Sequence, residues 1–282
     1  MYKILLTGAT GFIGRALHQQ LKALGHTIHS LSQQDGKVED LFTWQSIPAT
    51  DIVIHLAART FVPDSWEQPA AFMATNATGT LHALEYCRKH KAKLIFLSSY
   101  LYGNPEHLPI PETAPLFTPN PYAQSKKTAE DFCTFYSDAY QVNTIILRPF
   151  NVYGPNQNSS FLIPHIIQQA LYKDTIQVKD LKPKRDYIHL QDLITAILAC
   201  INYPESGIFN IGSGISYSVQ EIIDIVQNIT KRNVPVISEA AVRKAEIMDT
   251  IADISLAKKQ LGWRPTISFE EGIRQLLALS QS

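Results

Sequence analysis

Three glycines near the start of the chain constrain its fold more than any other feature. A short apolar run at residues 4–6 stops at Gly8, and after Gly11 and Gly14 apolar residues return at helical spacing. This pattern predicts a β-strand, a tight turn and an α-helix. Because glycine has no Cβ, it lets the chain turn sharply, lets helix and strand pack closely and lets backbone N–H groups approach a diphosphate. The helix N-terminus would then face phosphate groups with the positive end of its dipole.

Size and composition narrow the class of protein. The chain has 282 residues, enough to bury a large core as one α/β domain or as a domain with a cap. Its formal net charge is zero, which argues against nucleic acid or an anionic membrane as a partner. No apolar run approaches the roughly 20 residues of a membrane helix, and we expect no signal peptide before the first strand. The 3 cysteines form no CxxC pair, so we expect neither a metal site nor a disulfide, and a reducing cytoplasm.

A second group of residues points to proton transfer. The apolar strand at residues 94–97 runs into Ser98 and Ser99, and ligands of parallel α/β sheets bind outside the carboxyl ends of the strands. Tyr122 and Lys126 lie four residues apart, which places both on one face of a predicted helix. A free phenol has a pKa of about 10, so its pKa must fall by about 3 before it can act as a base at neutral pH. One ammonium about 4 Å away, at an effective dielectric of about 20, supplies about that much.

Together these motifs resemble the extended short-chain dehydrogenase/reductase family, which contains nucleotide-sugar epimerases, dehydratases and reductases. The run Thr7-Gly-Ala-Thr-Gly-Phe-Ile-Gly14 looks like its cofactor turn, and Tyr122 with Lys126 looks like its YxxxK pair. The resemblance implies an α/β fold with a Rossmann-type doubly wound parallel sheet and a smaller C-terminal substrate-binding cap. It assigns residues 1–154 and about 184–212 to the Rossmann domain, and about 155–183 and 213–282 to the cap.

The resemblance implies NAD or NADP as the cofactor and leaves the choice between them open. The residues that match the family's cofactor site are Gly8, Thr10, Gly11, Phe12, Ile13, Gly14, Ser32, Leu56, Ala57, Ala58, Tyr122, Lys126 and Pro149. At the end of the second strand, where NAD-binding folds hold the adenosine ribose with an acidic residue, this chain has Ser32, and Asp35 comes three residues later. The sequence therefore predicts poor discrimination between NAD and NADP.

The resemblance also implies a set of catalytic residues. They are Tyr122, Lys126, Ser98 and Asn76. Tyr122 would be the acid and base, and Ser98 would hydrogen-bond to the same substrate oxygen. Counting back from Gly103 selects Ser98, with the neighbouring Ser99 as the alternative. Asn76 falls in a helix predicted at about 69–90, where a solvent-facing polar residue is the alternative. His55 ends a buried strand, so we expect a packed structural histidine rather than a base.

For the substrate, the resemblance implies a nucleotide-diphosphate sugar. The matching residues are Ser98, Ser99, Tyr122, Asn151, Arg185, Arg243 and Glu246. Asn151 lies in a segment that resembles the family's RPFNVYGP and would bind the sugar nucleotide. Arg185 has a planar guanidinium suited to a diphosphate, with a salt bridge to Asp186 or Asp192 as the alternative. Arg243 and Glu246 stand in place of the family's RxGD motif, with Glu for Asp.

Two reactions fit these motifs. The first is a nucleotide-sugar 4-epimerase, and the alternative is an NADPH-dependent nucleotide-sugar 4-keto reductase. Dehydratases of the family carry a Thr-Asp-Glu run where this chain has Ser98-Ser99-Tyr100, so dehydration is disfavoured. A non-catalytic NAD(P)-binding scaffold is less favoured, because the catalytic residues are intact. The family also predicts a homodimer, in which the helix at 122–140 and the helix that ends near His90 pair with their symmetry mates.

Overall fold

The computed structural model describes residues 1–240 and 247–280. Within them the β-strands are β1 Lys3–Thr7, β2 Thr27–Leu31, β3 Ile52–His55, β4 Lys93–Leu97, β5 Thr144–Pro149, β6 Asn151–Tyr153, β7 Ile176–Val178, β8 Lys184–His189, β9 Gly207–Ile211, β10 Ser216–Ser218 and β11 Val236–Ser238. The α-helices are α1 Phe12–Ala23, α2 Leu41–Gln45, α3 Val62–Glu67, α4 Pro69–Phe72, α5 Gly79–His90, α6 Pro121–Tyr140, α7 Leu162–Tyr172, α8 Leu190–Asn202, α9 Val219–Thr230, α10 Ser255–Gln260 and α11 Phe269–Ser280. Strands and helices alternate over the first half of the chain, the order that places helices on both faces of a parallel sheet.

A parallel sheet forms the centre of the molecule. Its 6 strands follow the order β2-β1-β3-β4-β5-β9, and every neighbouring pair is parallel. From β1 the chain winds outward to β2 and then returns to place β3 on the other side of β1, so the direction of winding changes between β1 and β3. Ligands of such sheets bind at this switch point, outside the carboxyl ends of the strands. The predicted Rossmann-type doubly wound sheet is confirmed.

Two hydrophobic clusters cover the two faces of this sheet. Strand β4 contributes to both, because successive side chains of a strand point to opposite faces. Ile95 and Leu97 pack in one cluster with residues of α1 and α8. Leu94 and Phe96 pack in the other with residues of α5 and α6. Helix α6, which carries Tyr122, is therefore fixed against the face formed by Leu94 and Phe96.

A third hydrophobic cluster joins elements of the C-terminal part of the chain. Helices α7, α9 and α11 contribute Ile166, Ile222 and Ile273 to it. Two small sheets, β10-β8-β6 and β11-β7, also belong to this part. The division into a Rossmann domain and a cap stays a prediction, which this separate cluster supports. Ala252 and Trp263 pack in the first cluster, so their segment contacts the large sheet although the sequence assigned it to the cap.

The helix predicted at about 69–90 is interrupted. Helix α4 ends at Phe72, a π-helical turn covers Met73–Thr78, and α5 begins at Gly79. Such π-helical turns occur frequently at functional sites. Here the turn buries Asn76, for which a solvent-facing position was the alternative.

Among the residues that the structure describes, no helix is long and apolar enough to span a membrane, and no group of His, Cys, Asp and Glu is arranged to hold a metal ion. Cys87, Cys133 and Cys200 are buried free thiols. Burial raises the pKa of each thiol, which makes all three poor nucleophiles.

Candidate active site

The glycine turn between β1 and α1 forms a compact cradle. Gly8 has a φ of 70°, in the left-handed region, and a Cβ there would lie 2.8 Å from the backbone nitrogen of Ala57. A Cβ on Gly14 would lie 2.1 Å from the carbonyl oxygen of Gly8. Helix α1 begins after Gly11, and no described side chain caps it, so its first N–H groups can bind an anion. These features fit the diphosphate of a dinucleotide.

The other predicted cofactor residues of this edge surround the turn. Thr10 is exposed in the turn itself, and Phe12 and Ile13 are half-buried at the start of α1. Leu56 and Ala58 are half-buried directly after β3. Because β1 and β3 are parallel neighbours, all of these residues meet at the carboxyl edge where the direction of winding changes.

His55 packs beneath this edge and is confirmed as a buried residue. Its Nδ1 lies 2.8 Å from Oγ1 of Thr7, and the same Oγ1 accepts a hydrogen bond from the N–H of Ala57 at 3.2 Å. Burial lowers the pKa of His55 to about 3, so the imidazole is neutral at ordinary pH. His55 and Thr7 therefore tie β1 to β3 at the switch point.

A carboxylate lies at the end of β2, although its residue is not in the expected position. The chain turns after β2, and Oδ2 of Asp35 accepts hydrogen bonds from the N–H of Ser32 at 2.8 Å and from its Oγ at 2.7 Å. These bonds lower the pKa of Asp35, which is therefore ionised at neutral pH. The turn therefore brings Asp35, which the sequence places three residues after Ser32, back to the end of β2. The assignment of Ser32 to the cofactor site stays a prediction.

Lys126 lies on the buried face of α6, as its spacing from Tyr122 predicted. It is 3% exposed, and its Nζ donates a hydrogen bond to the carbonyl oxygen of Leu97 at 2.7 Å. The centre of the Phe96 ring is 4.8 Å from the same Nζ. Burial lowers the pKa of Lys126 to about 8. The ammonium is thus held at the carboxyl end of β4.

Tyr122 is a protonated phenol in this arrangement. Burial raises the pKa of Tyr122, and the nearby side chain of Ser99 lowers it by less. Lys126 does not offset this rise, and its Nζ donates to the carbonyl oxygen of Leu97. Tyr122 is therefore ready to donate a proton, and it needs additional positive charge in the site before it can accept one.

The structure separates the two candidate serines. Ser99 is the serine whose side chain lies near the Tyr122 phenol and lowers its pKa. Ser98 is 5% exposed, and its buried Oγ has no hydrogen-bond partner within the described ranges 1–240 and 247–280. Adjacent residues at the end of a strand point to opposite sides, so one serine faces Tyr122 and its neighbour does not. Counting back from Gly103 selected Ser98, the serine that lies away from Tyr122. The strand does not fix the length of the loop that leads to Gly103, so the count alone cannot decide between the two serines.

Asn76 lies behind the catalytic helix. Its Oδ1 accepts from the N–H of Arg59 at 2.8 Å, and its Nδ2 donates to the carbonyl oxygen of Arg59 at 3.0 Å. The same Nδ2 donates to Oγ of Ser125 at 2.9 Å, and that hydroxyl donates to the carbonyl oxygen of Tyr122 at 2.7 Å. The amide thus holds the segment after β3 against α6. These contacts place Asn76 behind Tyr122, and its predicted catalytic role stays a prediction.

The predicted substrate residues meet around β6 and β8. Nδ2 of Asn151 donates to the carbonyl oxygen of Asp186 at 3.2 Å, and its Oδ1 accepts from the hydroxyl of Tyr100 at 3.3 Å. The Tyr100 ring is stacked on Phe150, with centroids 4.9 Å apart. Asn151 and Tyr100 therefore form one contact between the strand ends of the large sheet and β8. Pro149 is buried at the end of β5, directly before this contact.

Arg185 is oriented by main-chain oxygens. Its Nη1 donates to Lys184 at 2.8 Å and to Ile247 at 2.6 Å. No salt bridge joins Arg185 to Asp186 or Asp192, all of which lie in the described part of the chain. The Asp186 carboxylate instead accepts hydrogen bonds from backbone groups at positions 213, 214 and 252. Arg243 and Glu246, the two remaining predicted substrate residues, lie outside the described residues.

Comparison with known proteins gives consistent matches over nearly the whole chain. A model of the NAD dependent epimerase/dehydratase family matches residues 4–212. A GDP-6-deoxy-D-mannose reductase of Pseudomonas aeruginosa is 29% identical over 98% of this chain and 96% of its own. A UDP-glucose 4-epimerase of Halalkalibacterium halodurans is 32% identical over 93% of this chain and 90% of its own. The UDP-glucose 4-epimerase of Thermotoga maritima, solved with UDP-glucose, superimposes with a TM-score of 0.92 at 27% identity and covers 99% and 98% of the two chains. Other solved structures with this fold hold NAD or NADPH.

Proposed function

Because this chain belongs to the NAD-dependent epimerase/dehydratase family, we propose that it is a nucleotide-sugar 4-epimerase that retains a bound NAD. It is an NAD(P)-dependent enzyme of the nucleotide-sugar epimerase or ketoreductase type. Asp35 is the observation that favours the epimerase. A carboxylate at the end of β2 suits the ribose diol of NAD and repels the 2′-phosphate of NADP. An epimerase recycles its cofactor, whereas a reductase that uses NADPH must exchange it after each turnover.

In the proposed reaction Tyr122 moves a proton at the C4 oxygen of the hexose. When bound, the nicotinamide supplies a hydride acceptor and, in its oxidised form, a positive charge. Ser99, which lies near the Tyr122 phenol, orients the same sugar oxygen by a hydrogen bond. Lys126 places its ammonium at the end of β4, on the side of the proton transfer. For epimerisation, Tyr122 takes a proton in the first half of the reaction and returns it in the second.

We assign the remaining site residues by their position. The glycine turn would hold the diphosphate of the cofactor, and Asp35 its adenosine ribose. Asn151 would bind the sugar nucleotide and Arg185 its diphosphate, since main-chain oxygens already fix the orientation of the guanidinium. Arg243 and Glu246 stay proposed ligands of the substrate on the basis of the resemblance.

A homodimer and a cytoplasmic location are also proposals. Phe135 is 55% exposed and Tyr140 is 49% exposed on α6, which supports a partner on this helix. Tyr136 of α6 and Leu84 of α5 are buried in the second core cluster, so they are not available to a partner. The proposed interface is therefore centred on the C-terminal end of α6.

The second candidate function is a nucleotide-sugar 4-keto reductase. The similarity to GDP-6-deoxy-D-mannose reductase, which extends over 98% of this chain, favours it. The raised pKa of Tyr122 also suits a residue that only donates a proton. Both reactions use the same residues at the C4 oxygen, so the use of the cofactor has to distinguish them.

The decisive experiment incubates the purified protein with UDP-hexoses and GDP-hexoses without added cofactor. We expect the two C4 epimers to interconvert with no net change in absorbance at the reduced-nicotinamide band. Bound NAD should be found by mass spectrometry of the denatured protein. Turnover that occurs only with a 4-keto sugar and consumes NADPH one for one would overturn the epimerase and establish the reductase.

Asp35→Asn is expected to weaken the preference for NAD. The wild-type protein should bind NAD more tightly than NADP, and the substitution should lower that ratio by about tenfold or more, since it removes the charge that repels a 2′-phosphate. Fluorescence titration with both cofactors measures the ratio. Glu39→Gln, which makes the same charge change in the same segment, should leave it unaltered. Equal affinity of the wild type for both cofactors would contradict the role given to Asp35.

A further inference from the structure

A buried ion pair lies one helical turn beyond Lys126. Glu130 and Arg148 have side chains that are each 4% exposed. Nε of Arg148 lies 3.1 Å from both carboxylate oxygens of Glu130, and its Nη2 lies 2.6 Å from Oε2. Tyr122, Lys126 and Glu130 follow one another at intervals of four residues, so they share one face of α6. None of the roles assigned above involves this ion pair.

Arg148 is also held from its other side. Its Nη1 donates to the hydroxyl of Tyr102 and to the carbonyl oxygen of Glu112, both at 2.9 Å. The Tyr102 hydroxyl donates to Oδ1 of Asn210 at 2.5 Å, and the N–H of Asn210 donates to Oε1 of Glu112 at 2.9 Å. The guanidinium is thus bonded directly to the loop after β4 and, through Tyr102 and Glu112, indirectly to β9. It presents a fixed target for the carboxylate of Glu130.

We propose that Glu130, oriented by Arg148, is a positioning residue that acts on catalysis through Lys126. The inference rests on the proposed roles of Tyr122 and Lys126. Because the carboxylate is bonded to a fixed group on β5, α6 can neither rotate nor slide along the sheet without breaking a buried ion pair. The ion pair therefore sets the position of Nζ of Lys126 at the end of β4. The carboxylate also supplies a negative charge near a buried ammonium.

The surroundings of Lys126 make that charge important. Burial lowers the pKa of Lys126 to about 8, and the nearby carboxylate of Glu130 raises it. His55 of β3 is neutral, and burial raises the pKa of the Cys133 thiol, which therefore stays protonated. Neither group carries a negative charge that could offset the positive charge of the Lys126 ammonium. The titratable groups next to Lys126 are Tyr122, Glu130 and Cys133 of α6 and His55 of β3. Two further groups lie behind these: Cys87 of α5 behind Cys133, and Arg148 of β5 behind Glu130. Glu130 is the anion in this set.

Glu130→Gln is expected to move the basic limb of the pH profile of kcat/KM to lower pH by about one unit. Without the carboxylate, and with the Arg148 guanidinium left buried and unpaired, the pKa of Lys126 falls. The ammonium that supports Tyr122 is then lost at a lower pH than in the wild type. At neutral pH we expect kcat to fall by about tenfold, with KM changed less. Nuclear magnetic resonance of isotope-labelled lysine, assigned with Lys126→Arg, measures the pKa of Lys126 without any substrate.

Two further variants separate positioning from stability. The double variant Glu130→Gln with Arg148→Met leaves no unpaired charge, so it should fold even where the single variant is unstable. It should still show a shift in the same direction, smaller than that of the single variant. Asp131→Asn makes the same charge change on the exposed side of α6, where Asp131 pairs with Lys127, and should leave the pH profile unaltered.

The possible outcomes are distinct. Variants that unfold at lower temperature but keep the wild-type basic limb and the wild-type pKa of Lys126 would overturn the inference. An equal shift in Asp131→Asn would also overturn it, since the effect would then be a general one of net charge. If the pKa of Lys126 falls in Glu130→Gln while the wild type turns over no nucleotide sugar, the inference about Glu130 holds and the proposed reaction fails.

Discussion

Replacement of Tyr122 by phenylalanine should lower kcat by about 10²- to 10⁴-fold, the usual contribution of a positioned proton donor. The hydroxyl of Tyr122 lies near Ser99, and Tyr122 is on the same helical face as Lys126. The fold should not change, because the ring that packs edge-on against Phe72 is retained. Binding of NAD should also be retained, since the glycine turn and Asp35 are untouched.

The measurement compares kcat, the affinity for NAD and the temperature of unfolding in the same preparations. Tyr140→Phe is a matched control, because it removes a phenol oxygen from the same helix at a half-exposed position away from the site. It should leave kcat and the affinity for NAD at their wild-type values, while its unfolding temperature reports on the proposed dimer interface. A Tyr122→Phe variant with kcat within about tenfold of the wild type would exclude Tyr122 as the acid and base, given the contribution expected of such a group.

The protonation of Tyr122 also bears on the direction of the reaction. Burial raises the pKa of Tyr122 and lowers that of Lys126 to about 8, so the two values, which are close together in free side chains, move apart. At neutral pH the phenol holds its proton, which is the state needed to reduce a ketone. Oxidation of an alcohol needs the opposite state, which requires positive charge close to the phenol oxygen. A 4-epimerase uses both protonation states of the phenol in one cycle. The proposed reaction therefore depends on the charge around Lys126.

The sequence predicted those parts of the site that depend on local spacing. The glycine turn requires only that strand, turn and helix follow one another, and the pairing of Tyr122 with Lys126 requires only one helix. The glycine turn is found, and Tyr122 and Lys126 share α6, although Nζ of Lys126 donates to Leu97 and the catalytic roles of the two residues stay predictions. The large parallel sheet was predictable for the same reason, since alternating strands and helices permit few other arrangements.

The features that the sequence did not show concern turns and contacts between distant segments. Asp35 reaches the end of β2 because the chain folds back on Ser32, and no pattern in the sequence shows that turn. The bond between Glu130 and Arg148 joins a helix to a strand, so the sequence showed two charged residues without their pairing. The sequence placed Asn76 in the site but did not show that it is buried, because the π-helical turn that buries it has no sequence signal of its own.

Ser99→Ala should lower kcat by about 10²- to 10³-fold, the usual effect of removing one hydrogen-bond donor from a reacting oxygen. Ser98→Ala is the matched control: the same atom is removed one residue earlier, where the buried Oγ contacts no polar group in the described part of the chain. Its kcat should stay within about tenfold of the wild type, since no bond to the reacting oxygen is lost. Steady-state kinetics of both variants decide the matter. A larger loss in Ser98→Ala than in Ser99→Ala would instead identify Ser98 as the catalytic serine, as counting back from Gly103 predicted. The proximity of Ser99 to Tyr122 would then not indicate the catalytic serine.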